Sequence, residues 1–172
     1  MLTFEELMFH SAKFDTPIGS LEICASGKGL RRILLPGREC DNKEAAAIDN
    51  GDHPLLARTI EELSQYFKGE RERFSLPLDL KGTEFQMKVW ESLASIKYGS
   101  TNTYSGQAKR IGRPKSARAV GAANAVNPIP IILPCHRVIG ANGALTGYGG
   151  GSKLLHIKQY LLDLEKANIN PR

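Results

Sequence analysis

At Lys81-Gly82 the chain changes character in both pattern and charge. Before that point, short strand-like runs are separated by Gly- and Pro-containing turns. After it, apolar residues recur at helical spacing. The charge balance reverses at the same place. Residues 1–80 hold 10 Lys and Arg against 14 Asp and Glu, a balance of −4, and residues 81–172 hold 13 against 4, a balance of +9. A chain of 172 residues is long enough for one large domain or two small ones, and the double change at one point favours two. The expected fold is therefore α+β, with an N-terminal α/β domain over residues 1–80 and a mainly helical C-terminal domain over residues 81–172.

The first part carries its own punctuation. Ser20–Ala25 and Leu30–Leu35 read as strands joined by a turn at Gly27-Lys28-Gly29, and Thr16-Pro17-Ile18-Gly19 reads as a turn before them. After a polar stretch over 39–50, Pro54 opens a helix that runs through Leu63, Tyr66 and Phe67 to Gly69. Phe74–Leu80 is extended and leads out of this domain.

In the second part Thr83 and Gln86 have the spacing of a capping box, with Phe85, Val89, Trp90 and Leu93 on one face of a helix that Gly99 would end. A short helix over Tyr104–Ile111 closes at Gly112, Arg113-Pro114 turns the chain, and a further helix spans Lys115–Ala125. Two short helices about a tight turn in a basic half fit a helix-turn-helix, and they also fit a helical hairpin that only packs. The composition of the last helix bears on the choice. KSARAVGAANAVN offers Arg118 as its only long polar side chain beyond the first turn. A major-groove reader needs several long donors and acceptors. A smooth helix with one projecting arginine fits close backbone approach to a shallow groove, with one side chain displacing a base. Tight protein packing explains the alanines but not the arginine.

Cys24, Cys40 and Cys135 are too few and too scattered for a disulfide framework. His10 and His53 with Cys24 and Cys40 match no regular zinc spacing, so no metal is expected. Cys135 differs from the other two because it lies in Pro134-Cys135-His136-Arg137-Val138, after an apolar run and before a glycine-rich loop. The thiolate is the nucleophilic form and a free thiol has a pKa of ~8.5, so a catalytic cysteine needs a base and a group to orient it. His136 can serve through a bridging water, and Glu165 is an available orienting carboxylate. The prolines at 128, 130 and 134 stiffen the approach, and the glycines over 140–151 let backbone come close to a flat substrate.

IPIILPCHRVIGANGALTGYGGG resembles the active-site signature of the O6-alkylguanine-DNA alkyltransferases, and TEFQMKVWESLASIKYGSTNTYSGQAKRIGRPKSARAVGAANAVNPIP resembles that family's helix-turn-helix. FDTPIGSLEI and IKQYLLDLE match as well, so the resemblance spans most of the chain. It implies a ribonuclease H-like first domain and a winged helix-turn-helix second domain. By the same resemblance Cys135 accepts the alkyl group, His136 is its water-mediated base, Glu165 orients His136, and Asn127 positions the cysteine loop. Tyr104, Val138, Tyr148 and Gly149 would form the guanine pocket, with the carbonyls of Cys135 and Val138 reading the exocyclic amine. Arg118 would replace the flipped nucleotide, while Lys115, Ser116, Ala119, Gly121 and Tyr104 contact DNA. The implied partner is double-stranded DNA carrying O6-alkylguanine, with O4-alkylthymine left open as a second substrate.

General chemistry is compatible with that implication. An alkyl carbon on guanine O6 is inside the duplex, so the base must be extruded before a thiol reaches it. The product thioether has nothing in the sequence to hydrolyse it, so a single turnover is expected. No cofactor is required. Two features depart from the family: SKLLHI before Lys158 is longer than expected, and the Cys and His ligands of a structural zinc in some relatives do not line up. Two other classes remain open at this point, a winged helix-turn-helix regulator with an incidental cysteine and a cysteine hydrolase. No membrane-length apolar run occurs, and the N-terminus carries acids where a signal peptide needs basic residues, so a cytoplasmic protein is expected. A monomer is expected as well.

Overall fold

The computed structural model describes residues 9–38, 48–49 and 53–169. The chain divides into two compact units, residues 1–80 and residues 81–172. In the first, strands β1 (Phe9–Thr16), β2 (Gly19–Ser26), β3 (Gly29–Leu34) and β4 (Ile48–Asp49) form one sheet in the order β3-β2-β1-β4. The two hairpins are antiparallel, and β4 joins β1 in parallel. The expected strands at Ser20–Ala25 and Leu30–Leu35 are β2 and β3. β1 and β4 go beyond the sequence expectation. The run FHSAKFDT of β1 carries a Lys and an Asp between its apolar residues, and only pairing along all of β2 makes it a strand. The polar stretch 39–50 and its Cys40 lie outside the described residues, apart from β4.

Helix α1 (Pro54–Phe67) starts with Pro at its first turn, where no amide donor is lost, and packs on β1, β2 and β3. Leu56, Leu63 and Tyr66 on α1 and Leu21, Ile23 and Ala25 on β2 are all fully buried. Each large apolar side chain buried in this way contributes about 1.5–3 kcal/mol. The extended exit segment docks on β3, where Leu30 N–H donates to Pro77 O (2.8 Å) and Asp79 N–H donates to Leu30 O (2.8 Å).

The second unit is built on three helices, α2 (Glu84–Leu93), α3 (Tyr104–Arg110) and α4 (Ala117–Ala125). Thr83 and Gln86 make both bonds of the capping box, at 3.2 and 2.9 Å. Helix α2 ends at Leu93, one and a half turns before Gly99, because residues 94–98 fold into tight turns instead. Gly99 closes those turns with φ +69°, and a Cβ there would collide with the Ile169 side chain. Helix α4 begins at Ala117 rather than Lys115, since Ser116 has φ −103° and ψ 24° and its side chain makes no capping bond.

A buried polar network fixes the three helices together. Gln107 Nε2 donates to Val89 O (3.0 Å) and to Ser92 Oγ (2.9 Å), and Gln107 Oε1 accepts from Asn124 Nδ2 (2.8 Å). Trp90 Nε1 donates to Ala123 O at 2.9 Å. Such bonds specify one helix arrangement, because a slipped helix would leave buried polar groups unpaired. After α4 the chain passes a 3-10 turn at Cys135–Arg137 into β6 (Val138–Ile139), which pairs in parallel with β5 (Asn102–Thr103). The glycine-rich loop then leads to α5 (Leu155–Ile169), which covers the 3-10 turn. Among the described residues no helix is long and apolar enough to cross a membrane.

Candidate active site

The cysteine sits at the end of a constrained link. Between Asn127 and Pro134 the backbone cannot form a helix with its three prolines, and Ile131 takes φ +76°, the one non-glycine positive φ among the described residues. That conformation costs a β-branched residue about 1–3 kcal/mol. Asn127 holds the link from inside: its Nδ2 donates to Leu133 O (2.8 Å) and its Oδ1 accepts from Ile129 N (3.0 Å). Cys135 N–H donates to Leu133 O at 2.8 Å, and the next two residues complete the 3-10 turn.

Cys135 is buried. Burial pushes its thiol above the ordinary range, while a hydrogen bond with Asn127 and the positive charge of Lys158 pull the other way. The resting nucleophile is therefore a thiol. Removing the thiol from water outweighs the groups that favour its anion, so a base is needed to ionise it.

Behind the cysteine lies a buried relay. His136 Nε2 is 2.7 Å from Glu165 Oε1, and both side chains are fully buried. Burial alone would raise the Glu165 carboxyl, but hydrogen bonds and charge from His136 and Arg137 hold it at about 2. An ionised carboxylate can only accept, which places the histidine proton on Nε2 and a lone pair on Nδ1. Burial keeps His136 below its ordinary range, Glu165 opposes that, and Arg137 and Lys158 reinforce it. A neutral imidazole and a neutral thiol thus rest side by side in the chain, in the states required of a base and a nucleophile before proton transfer.

Two cations missed at the sequence level complete the site. Arg137 binds Glu165 through Nε (2.9 Å to Oε2) and Nη2 (2.9 Å to Oε1), and its Nη1 donates to Ile96 O at 2.6 Å. Lys158 is buried, and its ammonium donates to Val138 O (2.6 Å), Gly147 O (3.3 Å) and Tyr104 Oη (3.4 Å). A signal for Lys158 was present: Lys158, Leu161 and Glu165 fall two turns apart on one face of α5, and two charged residues on an apolar face mark a buried polar site. Arg137 had no such pattern, because it lies in an irregular turn.

The thiol opens into a pocket lined by Tyr104, Gly121, Cys135, Tyr148, Gly149 and Lys158. Tyr104 is the first residue of α3 and donates to Thr146 O at 2.8 Å; burial raises its phenol. Tyr148 is almost fully buried, and burial, reinforced by the charge of Glu165, raises its hydroxyl well above the ordinary value. Val138 contributes backbone, and its carbonyl already accepts from Lys158.

On α4, Arg118 and Ala119 face solvent, as does Lys115 before it, and Ser116 is half-buried. Gly121 instead faces the Tyr104 ring, where a Cβ would lie 3.7 Å from Cδ1. The sequence-level candidates for the pocket and for the exposed helix face thus lie within one unit. Elsewhere, the rings of His10 and His53 stand 4.4 Å apart and Cys24 is buried in β2. Among the described residues no three His, Cys, Asp or Glu side chains cluster as metal ligands.

Known proteins carry the same organisation. Residues 84–167 match the family model of the 6-O-methylguanine DNA methyltransferase DNA binding domain, and residues 9–80 match that of its ribonuclease-like domain. The chain is 44% identical over 163 residues to a methylated-DNA–protein-cysteine methyltransferase of Mycobacterium leprae, covering 94% of this chain and 95% of that protein. It is 46% identical over 162 residues to the constitutive enzyme of Bacillus subtilis, covering 92% and 96%. The crystal structure of Mycobacterium tuberculosis O6-methylguanine methyltransferase superposes with a TM-score of 0.85 at 42% identity, over 96% of this chain and 97% of that one. A structure of the Mycobacterium tuberculosis protein in complex with DNA superposes with a TM-score of 0.83 at 43% identity, over 92% and 94%. With both domains matched and 44–46% identity to methylated-DNA–protein-cysteine methyltransferases over more than nine-tenths of its length, the chain belongs to the 6-O-methylguanine DNA methyltransferase family.

Proposed function

We propose that this protein repairs duplex DNA by moving the alkyl group of O6-alkylguanine onto its own Cys135, once per molecule. The observation that carries the reading is the buried Cys135 thiol, opening into a pocket beneath α4 and backed by the His136–Glu165 pair. In this reading residues 81–172 bind DNA and perform the chemistry, residues 1–80 act as a scaffold, and the protein works as a monomer in the cytoplasm.

Helix α4 presents Arg118 to the duplex, and its small exposed residues let the backbone approach the minor groove. Arg118 fills the gap left when the damaged nucleotide swings out, with Tyr104, Lys115, Ser116, Ala119 and Gly121 on the same side. The flipped guanine enters between Tyr104, Tyr148 and the backbone at Gly149. Its exocyclic amine meets the carbonyls of Cys135 and Val138. The Cys135 proton passes through a water to His136 Nδ1 as sulfur attacks the alkyl carbon. A C–S bond forms, the C–O bond breaks, and the electron pair leaves with guanine. Tyr104 donates a proton to the leaving base, helped by the adjacent Lys158 ammonium, and the proton held by His136 restores the balance. A thioether and an unmodified guanine remain.

Incubation with a duplex containing O6-methylguanine, followed by intact mass and peptide mapping, tests the reading. One added methylene on Cys135, absent in Cys135→Ser, is the expected result. Binding without any mass gain would make the protein a lesion sensor, and turnover of an ester by unmodified protein would make it a hydrolase.

A further inference from the structure

Glu165 receives more than an orienting carboxylate needs. Its Oε1 meets His136 Nε2 (2.7 Å) and Arg137 Nη2 (2.9 Å), while its Oε2 meets Arg137 Nε (2.9 Å) and Gly99 N–H (3.0 Å). The same guanidinium is fixed on its other side by Ile96 O at 2.6 Å and lies 5.6 Å from the centre of the Tyr98 ring. We propose that Arg137 is a positioning residue for alkyl transfer: as the permanent counter-ion of Glu165 it leaves His136 uncharged at rest, and so free to take the Cys135 proton. This rests on the reading of His136 as the base.

A carboxylate with no exposure must have a cation, because leaving it buried and unpaired is strongly unfavourable. Arg137 and His136 both touch it. Arginine remains protonated under all ordinary conditions, whereas histidine can change state. Without Arg137, the imidazole 2.7 Å away is favoured to bind the carboxylate as an imidazolium. An imidazolium has no lone pair with which to accept a proton. The fork geometry adds position to charge, since both carboxylate oxygens are engaged and the plane of the carboxylate facing His136 is set.

The charges around His136 favour the same outcome. Glu165 and Lys158 act on it from α5 and Arg137 from its own turn, while the Tyr98 ring from the turns after α2 lies against Arg137 and Tyr148 from the glycine loop feels Glu165. At rest two cations, Arg137 and Lys158, oppose one anion. Without Arg137 the count is one against one, and the imidazolium gains.

The test uses the full-length protein and free O6-benzylguanine, so that DNA binding does not enter. Alkylation rates are measured across pH for wild type, Arg137→Gln and Arg137→Lys, and the protonation of His136 is followed by NMR in each. In Arg137→Gln the acid limb should move up by about one pH unit, so that at pH values below the limb the rate should fall about tenfold while the rate in alkali recovers. Arg137→Lys should keep the wild-type limb. An equal loss at every pH would reduce Arg137 to a structural role and overturn the proposal. So would an imidazolium at His136 in wild type at pH 7, a result that stands even if the glutamine variant fails to fold. A His136→Ala protein that reacts as fast as wild type would instead refute the base reading, while the NMR titration still judges Arg137.

Discussion

Glu165 shows how one side chain links stability to chemistry. Its carboxyl is held at about 2 against an ordinary value of 4.5, so the folded state binds its proton less readily than the unfolded chain. The stabilisation is therefore complete above the unfolded value and is lost as pH falls from 4.5 towards 2. Chemical denaturation of wild type and Glu165→Gln between those limits should give curves that converge on acidification, and a constant gap would remove the linkage. The PCHRV motif and the resemblance named Cys135, His136 and Glu165, and in the structure the last two meet at 2.7 Å. That Cys135 rests as a thiol was not legible. Burial decides it, and burial is set by residues far away in sequence.

At the scale of elements, α4 and the turns after α2 matter most. Helix α4 puts Val120, Ala123 and Asn124 inward and Arg118 and Ala119 outward, so its outer face offers one long side chain on a smooth surface. Extruding a base costs a few kcal/mol, and a wedge that offsets even part of this changes rate by about tenfold per 1.4 kcal/mol. Arg118→Ala should thus slow repair of duplex roughly tenfold or more while leaving reaction with free O6-benzylguanine nearly unchanged. Equal losses would assign the arginine to folding. The capping box at Thr83 and Gln86 was readable because capping is local chemistry. The end of α2 was not, because Gly99 and Ile96 serve Glu165 and Arg137 rather than terminating the helix.

For the whole molecule, charge is divided between the two units. The +9 balance over residues 81–172 coincides with the unit that holds α4 and the cysteine pocket. Binding to duplex should weaken steeply as salt rises, with log–log slope near −0.9 per phosphate neutralised. The alkylation rate with the free base should hardly respond to salt. Titrations at several salt concentrations distinguish this from apolar or shape-driven binding, for which the slope would be close to zero. The acidic first unit has no comparable charge excess of the positive sign, which fits a scaffold.

Local and patterned features were available from the sequence alone: the change of character at Lys81-Gly82, β2, β3, the capped helix, and the Cys-His pair before its glycine loop. Each depends on neighbours within a few residues or on a periodic face. Tertiary structure decided what depends on distant partners. It paired β1 along β2, and it brought Arg137 to Glu165 across 28 residues and Lys158 to Val138 across 20. It also removed water from the thiol and the imidazole. Desolvation and opposite charge set the protonation states of the site, and both arise only when separate segments close around one another.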